Sequence, residues 1–294
     1  MLDRIANFPN PHSILSRVFY SLGLLRESPV GLVGFGIILF WGLLAIFAPL
    51  LAPYDPNATI TPMQMPGATD NEGNTFWLGT DHLGRDILSR IIYGSQRVLI
   101  LAPVATFCAY IVGIPMGLAA GYLRGIWDTI LSFISNVILS FPVLVLYVII
   151  IATIGASAAN ILIAITFASA PGIMRIVRGL VLDLRNREYV AAAQTRGEGP
   201  LWIMFVEILP NARGPIIVDA CLRLGYVIIT IGVLGFLGLG LPPPDPDWGG
   251  MINETRQLAM TFPHMAVFPC IAISSLVLGF NLLADGLREI SLRD

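Results

Sequence analysis

The sequence predicts an all-α polytopic membrane protein of about six transmembrane helices. Three observations predict it: the composition, a series of long uncharged apolar runs, and an uneven distribution of arginine. Of 294 residues, 55% are hydrophobic and 12% charged, with a mean hydropathy of +0.77, against roughly 25% charged residues in an ordinary soluble domain. The lipid bilayer is therefore the expected solvent. A formal net charge of −2 lacks the basic excess of a nucleic-acid binder, so no nucleic-acid partner is expected. All 17 basic residues are arginine. Without lysine there is no Walker-type phosphate loop and no Schiff-base chemistry, so the chain has no ATPase site of that kind.

The elements follow in order. Residues 1–29 carry Arg4, Arg17 and Arg26 but no apolar run of signal-peptide length, and read as a cytosolic N-terminal segment. A hydrocarbon core of about 30 Å asks for roughly 20 apolar residues per helix, and residues 30–53 supply the first span. Residues 54–97 form an outer segment that opens with Tyr54-Asp55-Pro56, continues through Gly-, Asn- and Pro-containing sequence, and ends in an expected interfacial helix near Asp86–Arg97. Residues 98–294 hold the remaining five spans. Val98–Leu123, Thr129–Ile154 and Ala156–Met174 are uncharged, with a tight turn at Gly155 between the last two. Pro215–Leu241 is charged only near its start, at Asp219 and Arg223, and Pro263–Ala284 only through His264. Between them lie an inner segment, 175–214, and an outer one, 242–262, whose run from Pro242 to Gly250 cannot be regular helix and stops the fifth span.

Six spans put both termini on one side, and cytoplasmic flanks collect positive residues. With the termini inside, the inner segments hold Arg4, Arg17, Arg26, Arg124, Arg175, Arg178, Arg185, Arg187, Arg196, Arg213, Arg223, Arg288 and Arg293. The outer ones hold only Arg85, Arg90, Arg97 and Arg256. The expected placement is a multi-pass protein of the cytoplasmic membrane with both termini cytosolic.

Local patterns refine the picture. Gly113, Gly117 and Gly121 recur every fourth residue, laying bare backbone along one helix face for close packing. Gly232, Gly235, Gly238 and Gly240 thin the outer end of the fifth span in the same way, for close crossing by another helix. Polar groups at membrane depth need partners, and Asp219 and Arg223, four residues apart, are expected to pair with each other near the inner interface. Cys108, Cys221 and Cys270 lie in apolar stretches without metal or disulfide spacing. His12, His82 and His264 are scattered, so no metal site is expected.

The inner segment is the most informative. Glu188 to Arg196 has good helix formers, an acid in its first turn and a base at its end. Gly197 and Gly199-Pro200 break that helix, and a second amphipathic piece, Leu201 to Ile208, runs into Leu209-Pro210. The pattern predicts a cytosolic helix–turn–helix with an exposed alanine face, Ala191, Ala192 and Ala193, against which another protein docks.

That segment resembles the coupling motif of ABC importer permeases: Glu-Ala-Ala, three residues, Gly, nine residues, then Ile-x-Leu-Pro. Ala192, Ala193, Gly197, Leu209 and Pro210 match, while Ala191 stands in place of the motif's Glu and Glu207 in place of its Ile. Further stretches resemble the C-type permease subunit of the dipeptide, oligopeptide and nickel importer family. They include Ser28-Pro29-Val30-Gly31, Phe47 to Pro56, Leu78 to Asp86, Leu237 to Gly240 with Asp247-Trp248-Gly249, and Phe280 to Arg288. The resemblance implies a type I importer permease fold and transport of dipeptides, oligopeptides or a related small solute, with no catalytic residue and no cofactor on this chain. It implies a second, homologous permease subunit, two cytosolic ATPase subunits that use ATP and magnesium, and an extracytoplasmic substrate-binding protein. Coupling would fall to Glu188, Ala191, Ala192, Ala193, Gly197, Leu209 and Pro210, and Asp81, Arg85, Asp86, Asp247 and Trp248 would face the binding protein. A secondary transporter would call for acids at mid-membrane in repeated halves. An intramembrane enzyme would call for grouped catalytic residues; neither pattern is evident.

Overall fold

A computed structural model describes residues 28–291, so the reading of residues 1–27 as cytosolic lies outside the described residues. Within them, five helices are long and apolar enough to cross a bilayer, and a sharply bent pair makes up to six. The first, α1 (Pro29–Ile46), starts where Ser28 accepts a hydrogen bond from the Gly31 N–H and Pro29 pre-sets the first turn. A short α2 (Ala48–Leu51) follows, and a two-stranded antiparallel hairpin, β1 (Ala68–Thr69) and β2 (Thr75–Phe76), organises the outer segment.

Helix α3 (Ile87–Leu123) has 37 residues, and at 1.5 Å per residue it extends roughly 55 Å, well beyond a bilayer core. The separate interfacial helix expected near Asp86–Arg97 is the outer end of this same helix. Asp86 caps it by accepting from Ser89 N–H at 2.8 Å, and the helix runs unbroken through the polar residues Ser95, Gln96 and Arg97.

The third span is corrected more strongly. Instead of one helix over Thr129–Ile154, the chain forms α4 (Gly125–Ser140) and α5 (Val143–Ile154), bent by 89°. The cause is Pro142, whose ring drives the preceding residue out of the helical region; Phe141 is extended at φ −83°, ψ 141°. Helix α6 (Ala158–Leu184) begins beyond a tight turn at Gly155, where Asn160 Nδ2 donates to the carbonyls of Ile154 and Gly155, each at 2.8 Å. It continues past Met174 for nearly three more turns.

The inner helix–turn–helix is present as α7 (Glu188–Thr195) and the start of α8 (Pro200–Phe236). The fifth span therefore begins at Pro200 rather than Pro215. A π-helical stretch, Ile203–Ile208, widens the helix so that Leu209 N–H bonds to Met204 O. That extra residue lets Pro210, which has no N–H, sit in a continuous helix. After the outer α9 (Trp248–Thr255), α10 (His264–Ser291) closes the bundle.

The most extensive packing is between α3 and α6. β-Carbons added to Gly113, Gly117 and Gly121 would lie 2.6, 2.5 and 2.7 Å from the β-carbons of Ile173, Val177 and Val181. The register advances together along both helices, so they run parallel. Arg178 adds a two-pronged bond to Asp128 of α4, at 2.6 and 2.8 Å. A second assembly packs α1 on α10 and α10 on α8.

Candidate functional site

Helix α7 stands at the foot of the α3–α6 pair. Val190 and Ala193 are fully buried among Val177, Val181, Ile203, Met204 and Ile208, while Glu188, Ala191 and Ala192 are exposed. The expected three-alanine face is thus corrected to two. Ala193 lies three residues from Val190, on the inward side of the helix.

The helix ends in a Schellman motif. Gly197, at φ +77°, donates to Gln194 O at 3.0 Å, and Glu198 N–H donates to Ala193 O at 3.2 Å. Arg196 reaches Glu198 at 2.8 Å and Glu207 at 3.1 Å, so the acid that replaces the motif's Ile tethers the turn to α8. Of the other motif residues, Leu209 is half-buried against the inner core and Pro210 is exposed.

Arg185 donates to the carbonyls of Gly121 and Tyr122, at 3.3 and 3.4 Å, satisfying the C-terminal end of α3. Beside α7 lies a cleft of about 730 Å³, lined by Leu184, Asn186, Arg187, Glu188, Tyr189 and Asn211. Burial raises the Tyr189 phenol above its ordinary range, and its hydroxyl has no hydrogen-bond partner among the described residues. The result is a small exposed patch, Glu188 with Ala191 and Ala192, on a helix fixed to the bundle from behind.

The outer residues lie elsewhere than expected. Asp81, Arg85, Asp86, Asp247 and Trp248 are 4%, 5%, 1%, 5% and 0% exposed, so none presents itself to a partner. Asp81 accepts from Arg85 at 2.6 Å, and Arg85 also reaches Glu254 across the segment. Asp81, His82 and Glu254 come within 4.8 Å of one another, a grouping with metal-ligand chemistry, but Arg85 already places a guanidinium on both carboxylates. Asp247 caps α9 through Gly249 and Gly250. Polar motif residues with no visible partner read as exposed in sequence; here Asp81, Asp86 and Asp247 are satisfied locally, while Arg85 and Trp248 find Glu254 and Ile91 more than a hundred residues away. Among the large side chains exposed outside the spans, Met63, Met65, Trp77, Leu83 and Met260 carried no periodic signal.

Asp219 and Arg223 pair as expected, at 2.7 Å, and Asp219 also accepts a short hydrogen bond from the Tyr110 hydroxyl of α3. Tyr110 sits midway along the apolar part of α3, so the pair lies deeper than the inner interface.

Residues 113–294 match the family described as binding-protein-dependent transport system inner membrane component, and residues 23–72 match the N-terminal transmembrane domain of oligopeptide transport permease C. The chain is 37% identical to the dipeptide transport system permease protein DppC of Haemophilus influenzae, over 90% of each chain. It is 38% identical to the glutathione transport system permease protein GsiD of Pectobacterium atrosepticum, over 90% of this chain and 87% of that one. In structure it is similar to a chain of the inward-facing MetNI methionine ABC transporter, with a TM-score of 0.58 at 19% identity, over 69% of this chain and 97% of that one.

Proposed function

The chain belongs to the family of binding-protein-dependent transport system inner membrane components, and we propose that within it this chain imports dipeptides, oligopeptides or a related small peptide-like solute such as glutathione. It is a transmembrane permease subunit of an ATP-driven importer, and the ATPase activity of such systems resides in separate subunits. The finer assembly is one homologous permease beside it, two ATPases using ATP and magnesium beneath it, and a substrate-binding protein above it, in the cytoplasmic membrane with both termini cytosolic. The arginine asymmetry supports that orientation.

The observation that carries the reading is α7, an exposed Glu188–Ala191–Ala192 face backed by fully buried Val190 and Ala193. A push on that face is transmitted to α3, α6 and α8 as a unit, because the contacts behind it are close-packed. In this reading Gly197, Leu209 and Pro210 shape the docking element rather than touch the ATPase. The exposed Met63, Met65, Trp77, Leu83 and Met260 form the surface for the binding protein. Apolar side chains standing in an otherwise polar outer segment are what a transient partner covers.

The test is to purify the tagged chain from native membranes in mild detergent and identify its stable companions by mass spectrometry. Crosslinking from an Ala191→Cys variant then locates the contact. A second permease with two ATPases, crosslinked through position 191, is the expected result. A lone chain that still transports would overturn the assembly.

A further inference from the structure

The bundle contains a polar seam that the coupling function does not use. On α8, Asp219, Arg223, Tyr226 and Thr230 fall at intervals of four, three and four residues, one continuous helix face. Tyr226 is 67% exposed, and the side chains of Arg223 and Asp219 are about a fifth exposed. On α6, Gly172 and Arg175 share a face three residues apart. A β-carbon at Gly172 would lie 3.3 and 3.4 Å from the two terminal nitrogens of Arg223, so the two faces meet there. Arg175 is exposed, donates to Asn136 Oδ1 of α4 at 2.7 Å, and forms no ion pair among the described residues.

Depth follows from the glycine ladder, which sets residue 173 of α6 beside residue 113 of α3. At 1.5 Å per residue, Gly172 and the Arg223 guanidinium lie roughly 16 Å above the inner end of α3, and Arg175 roughly 12 Å. Two guanidiniums and one carboxylate thus share that depth, Arg223 paired with Asp219 and Arg175 held by Asn136. An exposed, incompletely neutralised polar face inside a bilayer belongs against water rather than lipid.

We propose that Arg175 and Arg223, the latter steadied by Asp219, form a carboxylate-binding station on the translocation path. An anionic group of the cargo, such as a peptide C-terminus, is met there as it crosses the inner half of the membrane. This rests on the importer reading above. The guanidinium fork suits a carboxylate, and Arg223 gives its Nε to Asp219 while also hydrogen-bonding Tyr110. Tyr226, one turn further out, lines the approach.

The test uses the assembled transporter in liposomes, with Cys108, Cys221 and Cys270 replaced by Ser and a single Tyr226→Cys. Its labelling rates with a negatively charged sulfonatoethyl and a positively charged trimethylammonioethyl methanethiosulfonate are compared. The anionic reagent is expected to react about tenfold faster, because position 226 lies one turn from the Arg223 guanidinium on the same helix face. That preference falls in Arg175→Gln, where Arg223 alone remains, and is kept in Arg175→Lys. Ile163→Cys, on the exposed apolar face of α6, is expected to be inert. A Tyr226→Cys as inert as Ile163→Cys, or one indifferent to reagent charge, overturns the station while peptide uptake by the unmodified complex stands. Absence of that uptake counts against the importer reading instead.

Discussion

The indole nitrogen of Trp248 lies 2.5 Å from the place a β-carbon on Gly94 would take, and it donates to the carbonyl of Ile91 at 3.0 Å. The same ring meets Trp41 of α1 edge-on, with centroids 5.0 Å apart. One side chain from the outer segment therefore ties α1, α3 and α9 together. Gly94→Ala forces overpacking at about 1–3 kcal/mol, and should lower the thermal midpoint of the purified complex. Gly36→Ala, with nothing within 4 Å of the added carbon, should not. An unchanged midpoint for Gly94→Ala would mean that the outer cap does not rest on α3 in this way.

Asp247 makes a prediction in pH. Burial pushes its carboxyl up from 3.8 to about 6, opposed by the backbone N–H bonds from Gly249 and Gly250. Between about pH 4 and pH 6 the folded state holds a proton that the unfolded state has released. Its contribution to stability is therefore present below that window and lost as pH rises through about 6. Asp247→Asn keeps a good cap and removes the titration. Hydrogen exchange at the Gly249 and Gly250 amides should slow as pH is lowered in the native chain, after correction for intrinsic rates, and be flat in the variant. A variant whose cap opens more readily at pH 7 than the native one would mean that the charged form is required.

How much of this could be read from the sequence depended on whether the signal was local. The spans were legible because uncharged runs need no partner to be recognised, and the α7 turn was legible because Gly197 is a local breaker. Even the burial of Ala193 was within reach, since it shares a face with Val190. The break at Phe141-Pro142 was hidden because both sides are equally apolar, so composition masked a backbone constraint that the proline itself announces. The start of the fifth span at Pro200 was hidden too, since a π turn carries the helix through Pro210 into the apolar run. The outer charges were misread because Arg85 meets Glu254 across 169 positions, a separation that no periodicity reveals.

The end of α7 offers a graded test. A β-carbon at Gly197 meets nothing within 4 Å, so the cost of substitution there is that of holding φ at +77°, about 1–2 kcal/mol for an ordinary residue. Asn tolerates that region and Val does not. Gly197→Asn should keep near-native uptake and ATPase co-purification, whereas Gly197→Val should release the ATPases or let them hydrolyse ATP without transport. Equal behaviour of the two variants would show that the turn geometry is immaterial to coupling.

The last prediction concerns how a push on α7 reaches the membrane. A β-carbon on Gly117 would lie 2.5 Å from Cβ of Val177 and 2.8 Å from the Met174 carbonyl oxygen, so Gly117→Ala must wedge α3 from α6. Val177→Ala removes the Cγ1 methyl, itself 2.8 Å from that carbon, but leaves Cβ and the Met174 carbonyl, so rescue should be partial, with a coupling energy of about 0.5–3 kcal/mol in the double-mutant cycle. The functional consequence is separable from stability. Val177 belongs to the apolar cluster that seats Val190 and Ala193 of α7, and Arg185 ties α6 to the inner end of α3. Wedging the pair apart loosens the seat of the docking helix without touching its exposed face. In reconstituted complexes Gly117→Ala should therefore keep its ATPases bound and hydrolysing while uptake per ATP falls, and Val177→Ala should restore part of that ratio. A fall in assembly instead, with uptake per ATP unchanged in the complexes that remain, would place the α3–α6 contact in folding alone and require another route from α7 into the bundle.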